Sequence, residues 1–219
     1  MCFSSVLSVV LYLATPSTQK IRNAMTAGLL GIILTPETGN RTIAGVPWCA
    51  DNGCYTLGDT FNPDKYKRFL DRQPTDDVLF ATAPDVVGDA KATLERSESW
   101  YKELSDRGYT PALVAQDGVE DLMDQVPWDQ IGAWFVGGTT EWKESGTAAE
   151  CTAEAQRRGL HTHMGRVNSL RRLRIAAASS YDTVDGNYLV FGPDKNLPKL
   201  LGWMRSVNSQ MTLGFGCAP

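Results

Sequence analysis

The 219-residue chain carries only two histidines, His161 and His163, and few metal-binding patterns to go with them. Its five cysteines (Cys2, Cys49, Cys54, Cys151, Cys217) are scattered and form no Cys-x-x-Cys pair, which argues against a closed zinc site. The odd, dispersed set also argues against a disulfide framework and for a reducing, cytoplasmic compartment. Positive charge is not in excess: 21 Lys and Arg face 25 Asp and Glu, for a net charge of −4. That balance speaks against a generally basic nucleic-acid binder and leaves room for a local basic face. No apolar run reaches the roughly 20 residues of a membrane-spanning helix. The apolar start "MCFSSVLSVVLYLATPS" has no Lys or Arg ahead of its core, so it reads as a buried first strand and not as a leader. No Gly-x-Gly-x-x-Gly follows that strand, which counts against a dinucleotide-binding fold. No linker or low-complexity stretch divides the chain, so residues 1–219 are expected to form one domain.

What is present is a succession of short apolar runs. They are Ser5–Leu13, Leu30–Leu34, Trp48–Ala50, Val78–Thr82, Ala112–Ala115, Gly132–Val136, Leu160–Met164 and Tyr181–Val184. Several lack polar alternation, as strands buried on both faces do. Helical patterns separate most of them: "STQKIRNAMTAG", "NPDKYKRFLDRQ", "DAKATLERSESWYKELSDRG", "GVEDLMDQV", "TAAECTAEAQRRG", "NSLRRLRIAAAS" and "DKNLPKLLGWMRSVNS". Asn62 is placed to cap the second of these with Pro63 at its first position, and Pro198 is expected in the first turn of the last. Only the second strand is followed by a loop without a helical pattern. Strand and helix alternating eight times imply a closed parallel (β/α)8 barrel, compact and with short loops.

A barrel of this kind carries its chemistry where the strands end. Strand three ends on Asp51, strand four on Asp85, strand five on Gln116 and Asp117, and strand six on Gly137 and Gly138. Strand seven ends on Met164 and Gly165, and strand eight on Asp185. Carboxylates, an amide and bare glycine backbone suit a planar heterocycle: carboxylates accept from its N–H groups, the amide donates and accepts, and glycine permits close backbone approach. The two histidines share one face of a strand. No Cys or carboxylate at a ligand spacing accompanies them, so neither a metal nor another cofactor is expected.

The ordered set "DNGCY", "APD", "VAQDG", "VGG", "HMG" and "YDTVDG" resembles the tRNA-guanine transglycosylase superfamily, and most closely its short branch that modifies DNA with deazapurines in phages and mobile elements. The resemblance runs from Trp48 to about residue 190. It implies exchange of a base in a polynucleotide for a 7-deazaguanine derivative through a covalent aspartyl-glycosyl intermediate. The segment "MGRVNSLRRLRIAAASSYDTVDG" places the nucleophile at Asp185, with Asp182 as second candidate. By the same resemblance Asp51 handles the proton, Asp85 and Gln116 read the base edge, and Gly137 and Gly138 offer backbone to its carbonyl. Tyr55 and Met164 would sandwich the ring. A carboxylate nucleophile with a second carboxylate as proton donor and acceptor is sound chemistry for such a step, and the target nucleotide must leave its stack to be reached.

The sequence departs from the family in three places. No Cys-x-Cys-x-x-Cys…His zinc subdomain follows Asp185, the Arg-containing loop is replaced by "GNYLVFGPDKN", and Cys54 stands in "DNGCY" where the family has glycine. The first two favour DNA over tRNA as the nucleic-acid partner. Arg166 and Lys195 are the phosphate candidates, while Arg171, Arg172 and Arg174 suit the outer face of a helix. The residues alone leave other readings open: activity on tRNA, a carboxylate-dependent hydrolase of a nucleoside or glycoside, or a barrel that binds a base without catalysis. The incoming base, the oligomeric state and any need for partner proteins are not legible.

Overall fold

The computed structural model describes residues 9–213. Eight strands close into a parallel barrel in chain order: β1 (Leu11–Ala14), β2 (Gly31–Leu34), β3 (Trp48–Ala50), β4 (Val78–Thr82), β5 (Pro111–Ala115), β6 (Ala133–Val136), β7 (His161–Met164) and β8 (Thr183–Asp185). Closure comes from β1 pairing with β8, Leu11 opposite Thr183 and Leu13 opposite Asp185. This is the (β/α)8 or TIM-barrel fold. Seven strands lie within two residues of the expected runs. The first is shorter, beginning at Leu11; of its expected span, residues 5–8 lie outside the described residues.

Eight helices accompany the strands among the described residues: α1 (Gln19–Thr26), α2 (Cys54–Leu57), α3 (Pro63–Leu70), α4 (Ala90–Asp106), α5 (Thr140–Lys143), α6 (Gly146–Arg157), α7 (Leu170–Ala178) and α8 (Pro193–Leu213). Their starts follow capping chemistry. Asn62 Oδ1 accepts from the Lys65 amide at 2.9 Å, with Pro63 at the first helical position, and Asp89 Oδ1 accepts from Ala92 at 2.9 Å. The one-turn helices α2 and α5 carry no sequence pattern of their own. The segment between β2 and β3 has no helix, as its sequence indicates.

Two expectations are corrected. The helix expected over "GVEDLMDQV" is a single 3-10 turn, Val119–Leu122. The chain goes on in tighter turns, the Gln125 amide bonding to the Leu122 carbonyl at 2.9 Å. Pro127 supplies no N–H to extend the segment as a helix, and the Trp128 indole N–H takes the Met123 carbonyl at 3.1 Å. Pro198 lies in the second turn of α8, not the first, because the helix already starts at Pro193.

Alternating side chains divide each strand's residues between two cores. Leu13, Ile33, Cys49, Phe80, Val114 and Phe135 fill the barrel interior. Ile32, Trp48, Ala81, Trp134, Met164 and Val184 pack outward against the helices. The interior changes character on β7 and β8, where His161, His163 and Thr183 take inward positions beside Phe80 and Phe135.

Candidate active site

The backbone just past each strand builds a cleft of about 460 Å³ at the carboxyl end of the barrel. Asp51, Asp85, Gln116, Gly137, Arg166 and Asp185 all line it.

Asp51 follows β3 and folds into a tight turn. Its Oδ1 accepts from the Gly53 amide at 2.8 Å, and Asn52 Oδ1 accepts from the Cys54 amide at 2.6 Å. Gly53 sits at φ 80°, in the left-handed region that glycine enters without strain. The turn launches α2 and sends its side chains opposite ways. Cys54 is buried beneath the turn, while Tyr55 stands 63% exposed at the mouth of the cleft. Burial pushes the Cys54 thiol up to about 12, so the side chain is a packing group and not a nucleophile. Burial, and secondarily the nearby Asp185 and Asp85 carboxylates, push the Asp51 carboxyl up to about 7 against the opposing pull of the Gly53 amide.

A buried polar set forms the adjoining wall. Gln116 Nε2 donates to Asp85 Oδ2 at 2.7 Å, and its Oε1 accepts from the Gly88 amide at 2.9 Å, which fixes which end of the amide faces Asp85. Asn52 Nδ2 donates to the Ala83 carbonyl at 2.9 Å and to Asp85 Oδ1 at 3.1 Å. Burial raises the Asp85 carboxyl above its ordinary value, while the bond from Asn52 lowers it. Gly137 is required here by space: a Cβ on it would lie 2.7 Å from both Gln116 Nε2 and Val114 Cγ1. Its own amide is committed to the Ala115 carbonyl at 3.0 Å.

The opposite wall is β8 and the turn after β7. Asp185 Oδ1 accepts from His163 Nε2 at 2.9 Å and from the Arg166 amide at 3.3 Å. Arg166 holds φ 61°, a conformation that costs a non-glycine residue energy and marks a constrained position. Its guanidinium lies 4.4 Å from the Tyr55 ring and donates to the carbonyls of Gly137, at 2.8 Å, and Gly138. Beneath this turn Lys143, 2% exposed, donates to the Gly165 carbonyl at 2.9 Å. Burial, with Arg166 next, brings its ammonium down to about 7.

Most of the residues expected at the site meet in this one cleft. Asp51, Asp85, Gln116, Gly137, Tyr55, Gly165, Arg166 and Asp185 all contribute to its lining. Gly138 stands beside it, bonded to Arg166 through its carbonyl. Three do not reach it. Met164 is fully buried in the outward core, because it is one strand position from the inward-facing His163; a ring bound in the cleft has no thioether wall from it. Asp182 lies three residues before Asp185, about 10 Å along the strand, and its Oδ2 accepts from the Thr162 amide and hydroxyl at 2.7 and 2.9 Å. Lys195 is an exposed residue of α8 and is not among the cleft's lining. Arg171 and Arg172 both pair with Glu144. Lys143 lies in no motif, and Asn52, His163 and Thr183 lie within "DNGCY", "HMG" and "YDTVDG" with no role expected of them; their contacts emerge only from the tertiary structure. Among the described residues no three His, Cys, Asp or Glu side chains are grouped to hold a metal ion, and no helix is long and apolar enough to cross a membrane.

No family model and no curated protein matches the sequence. Solved structures do match in fold. A chain of the Amycolatopsis orientalis BexX/CysO complex is 16% identical with a TM-score of 0.52, covering 97% of this chain and 93% of that one. The Pyrococcus furiosus tryptophan synthase α2β2 complex supplies a second match, 16% identical with a TM-score of 0.52, over 94% and 96% of the two chains. A tryptophan synthase chain from M. tuberculosis is 13% identical with a TM-score of 0.48, and the match spans 61% of that chain. At such identities the likeness establishes the barrel and nothing of its chemistry.

Proposed function

We propose that the protein is a base-exchanging pentosyltransferase that replaces guanine in DNA with a 7-deazaguanine derivative. The observation that carries this reading is the pair of carboxylates in unlike settings on one cleft. Asp51 is pushed up to about 7 by burial, and Asp185 is held by two N–H donors. Carboxylates whose surroundings differ in this way can divide acid and nucleophile roles between them. The ordered strand-end motifs supply the reaction class.

In the first half-reaction an Asp185 oxygen bonds to C1′ of the extruded nucleotide as the C1′–N9 bond breaks. The electron pair leaves on guanine N9, and Asp51, protonated, gives its proton to the departing base. In the second half the incoming base returns its N9 proton to the Asp51 carboxylate. N9 then bonds to C1′ and Asp185 leaves as a carboxylate. Asp85 and Gln116, locked to each other at 2.7 Å, form the edge that reads the base, and the Tyr55 ring offers a stacking face at the mouth. A flipped nucleotide displaces the Arg166 guanidinium from Tyr55, freeing it to meet a phosphate.

The test is incubation with labelled 7-deazaguanine and guanine-containing DNA, with tRNA in a parallel arm. The expected result is label in DNA with the wild-type protein and none with Asp185→Ala. Label in tRNA alone would overturn the choice of DNA. Base binding without incorporation into either polymer would replace exchange with simple binding, and release of free base without incorporation would replace it with hydrolysis.

A further inference from the structure

The inward positions of β7 and β8 hold a file of polar groups inside an otherwise apolar barrel. His161 Nε2 lies 2.8 Å from Thr183 Oγ1, the same hydroxyl lies 2.8 Å from His163 Nδ1, and His163 Nε2 lies 2.9 Å from Asp185 Oδ1. His163 is fully buried, with the Phe135 ring 4.3 Å and the Phe80 ring 5.4 Å from its own. A buried polar group in such surroundings is costly unless each nitrogen is satisfied, and here both are.

The directions of these bonds follow from the end that cannot vary. An ionised carboxylate only accepts, so His163 Nε2 carries a proton and donates it. In a neutral ring Nδ1 is then the acceptor, and the Thr183 hydroxyl must spend its single hydrogen there. The Thr183 oxygen in turn accepts from His161 Nε2. Burial keeps the His161 ring neutral, bringing it down to about 4. With both rings neutral, one arrangement satisfies all three contacts, running from His161 through Thr183 and His163 to Asp185.

We propose that His163, held in the Nε2–H tautomer by the Asp185 acceptor with Thr183 satisfying its Nδ1, is the positioning residue for the Asp185 nucleophile. This rests on the reading of Asp185 given above. The donor pins Oδ1 and leaves Oδ2 for attack on C1′. It also stabilises the carboxylate that departs when the second base arrives. Asp185 is the last residue of a three-residue strand, so the strand alone does little to fix its side chain. A second support behind a reacting group is commonly worth about 10- to 100-fold in activity.

The test pairs kinetics with a spectroscopic readout. His163→Leu removes the donor and keeps an apolar fill; His163→Gln keeps an amide donor near the Nε2 position. The expectation is a kcat for base exchange about 10- to 100-fold lower in His163→Leu, with KM for the labelled 7-deazaguanine within about twofold of wild type, and most of the loss restored in His163→Gln. Independently of activity, 15N imidazole spectra of the wild-type protein, simple with two histidines, are expected to show His163 protonated at Nε2 alone. Thr183→Val, which leaves the Asp185 acceptor in place, is expected to keep that proton on Nε2. A full-rate His163→Leu, a His163→Gln as slow as His163→Leu, or an Nδ1–H ring would each overturn the proposal. Asp185→Asn runs alongside. If it exchanges bases at the wild-type rate, the nucleophile assignment itself fails. If it is inactive while His163→Leu is fully active, only the positioning role fails.

Discussion

Replacing Asp51 by asparagine isolates the cost of ionising a carboxylate on the cleft floor. The amide keeps an Oδ1 acceptor for the Gly53 N–H, so the turn survives and only the charge is lost. The carboxyl moves from 3.8 to about 7 on folding. At about 1.36 kcal/mol per unit this is about 4 kcal/mol, and roughly half of that remains once water in the cleft screens the group. The sign follows from proton counting. Below the unfolded value both states hold the proton and nothing is lost. As pH rises from about 4 to 7 the unfolded chain releases it first, so the native protein loses stability through that window and levels off above it. Asp51→Asn lacks the loss. At roughly 2 to 4 °C per kcal/mol for a chain of this size, its Tm should equal that of the wild type near pH 4 and exceed it by about 4 to 8 °C near pH 8. Circular dichroism melts in buffers of matched ionic strength measure the difference, in which Asp85 and Asp185 enter only through their coupling to Asp51. A difference curve that stays flat from pH 4 to 8 would refute the buried, proton-holding Asp51 and the acid role built on it.

Other substitutions probe the remaining walls. Lys143→Met should be stabilising relative to wild type at pH 6 and lose that gain by pH 10, because the buried ammonium of the native state deprotonates near 7 while the unfolded lysine stays charged to about 10.5; parallel Tm curves would contradict it. Gly137→Ala puts a methyl 2.7 Å from Gln116 Nε2 and should cost about 1 to 3 kcal/mol of stability, with weaker binding of 7-deazaguanine by calorimetry; unaltered binding would remove Gln116 from the base site. Arg166→Ala should weaken DNA binding and reduce the slope of log affinity against log salt by about one, and an unchanged slope would mean that Arg166 meets no phosphate.

The barrel was legible because its signals are local. Eight apolar runs separated by helical patterns, capped by residues such as Asn62 and Asp89, report short-range chemistry that each segment carries alone. The strand-end residues were legible for the same reason: in a parallel barrel the end of every strand arrives at one rim, so a linear list becomes a cleft. Asp51, Asp85, Gln116 and Asp185 reach it on that argument. What was not legible depends on neighbours distant in sequence. The segment after β5 is one 3-10 turn, with Glu120 Oε2 accepting from the indole of Trp142, 22 residues on. Met164 and His163 differ by one strand step, and which of them faces the interior is set by pairing with β6 and β8, not by composition. The short peptide at Asp51 shows both sides. Its turn chemistry is readable in "DNGC", whereas the burial of Cys54, the exposure of Tyr55 and the shift of Asp51 need Asp85, Asp185 and the rest of the barrel around them. The sequence by itself determined the order of strands and which residues end them. Only the tertiary structure decided which way each side chain points and what holds it, because hydrogen bonds such as His163 to Asp185 join groups that adjacency in the chain does not bring together.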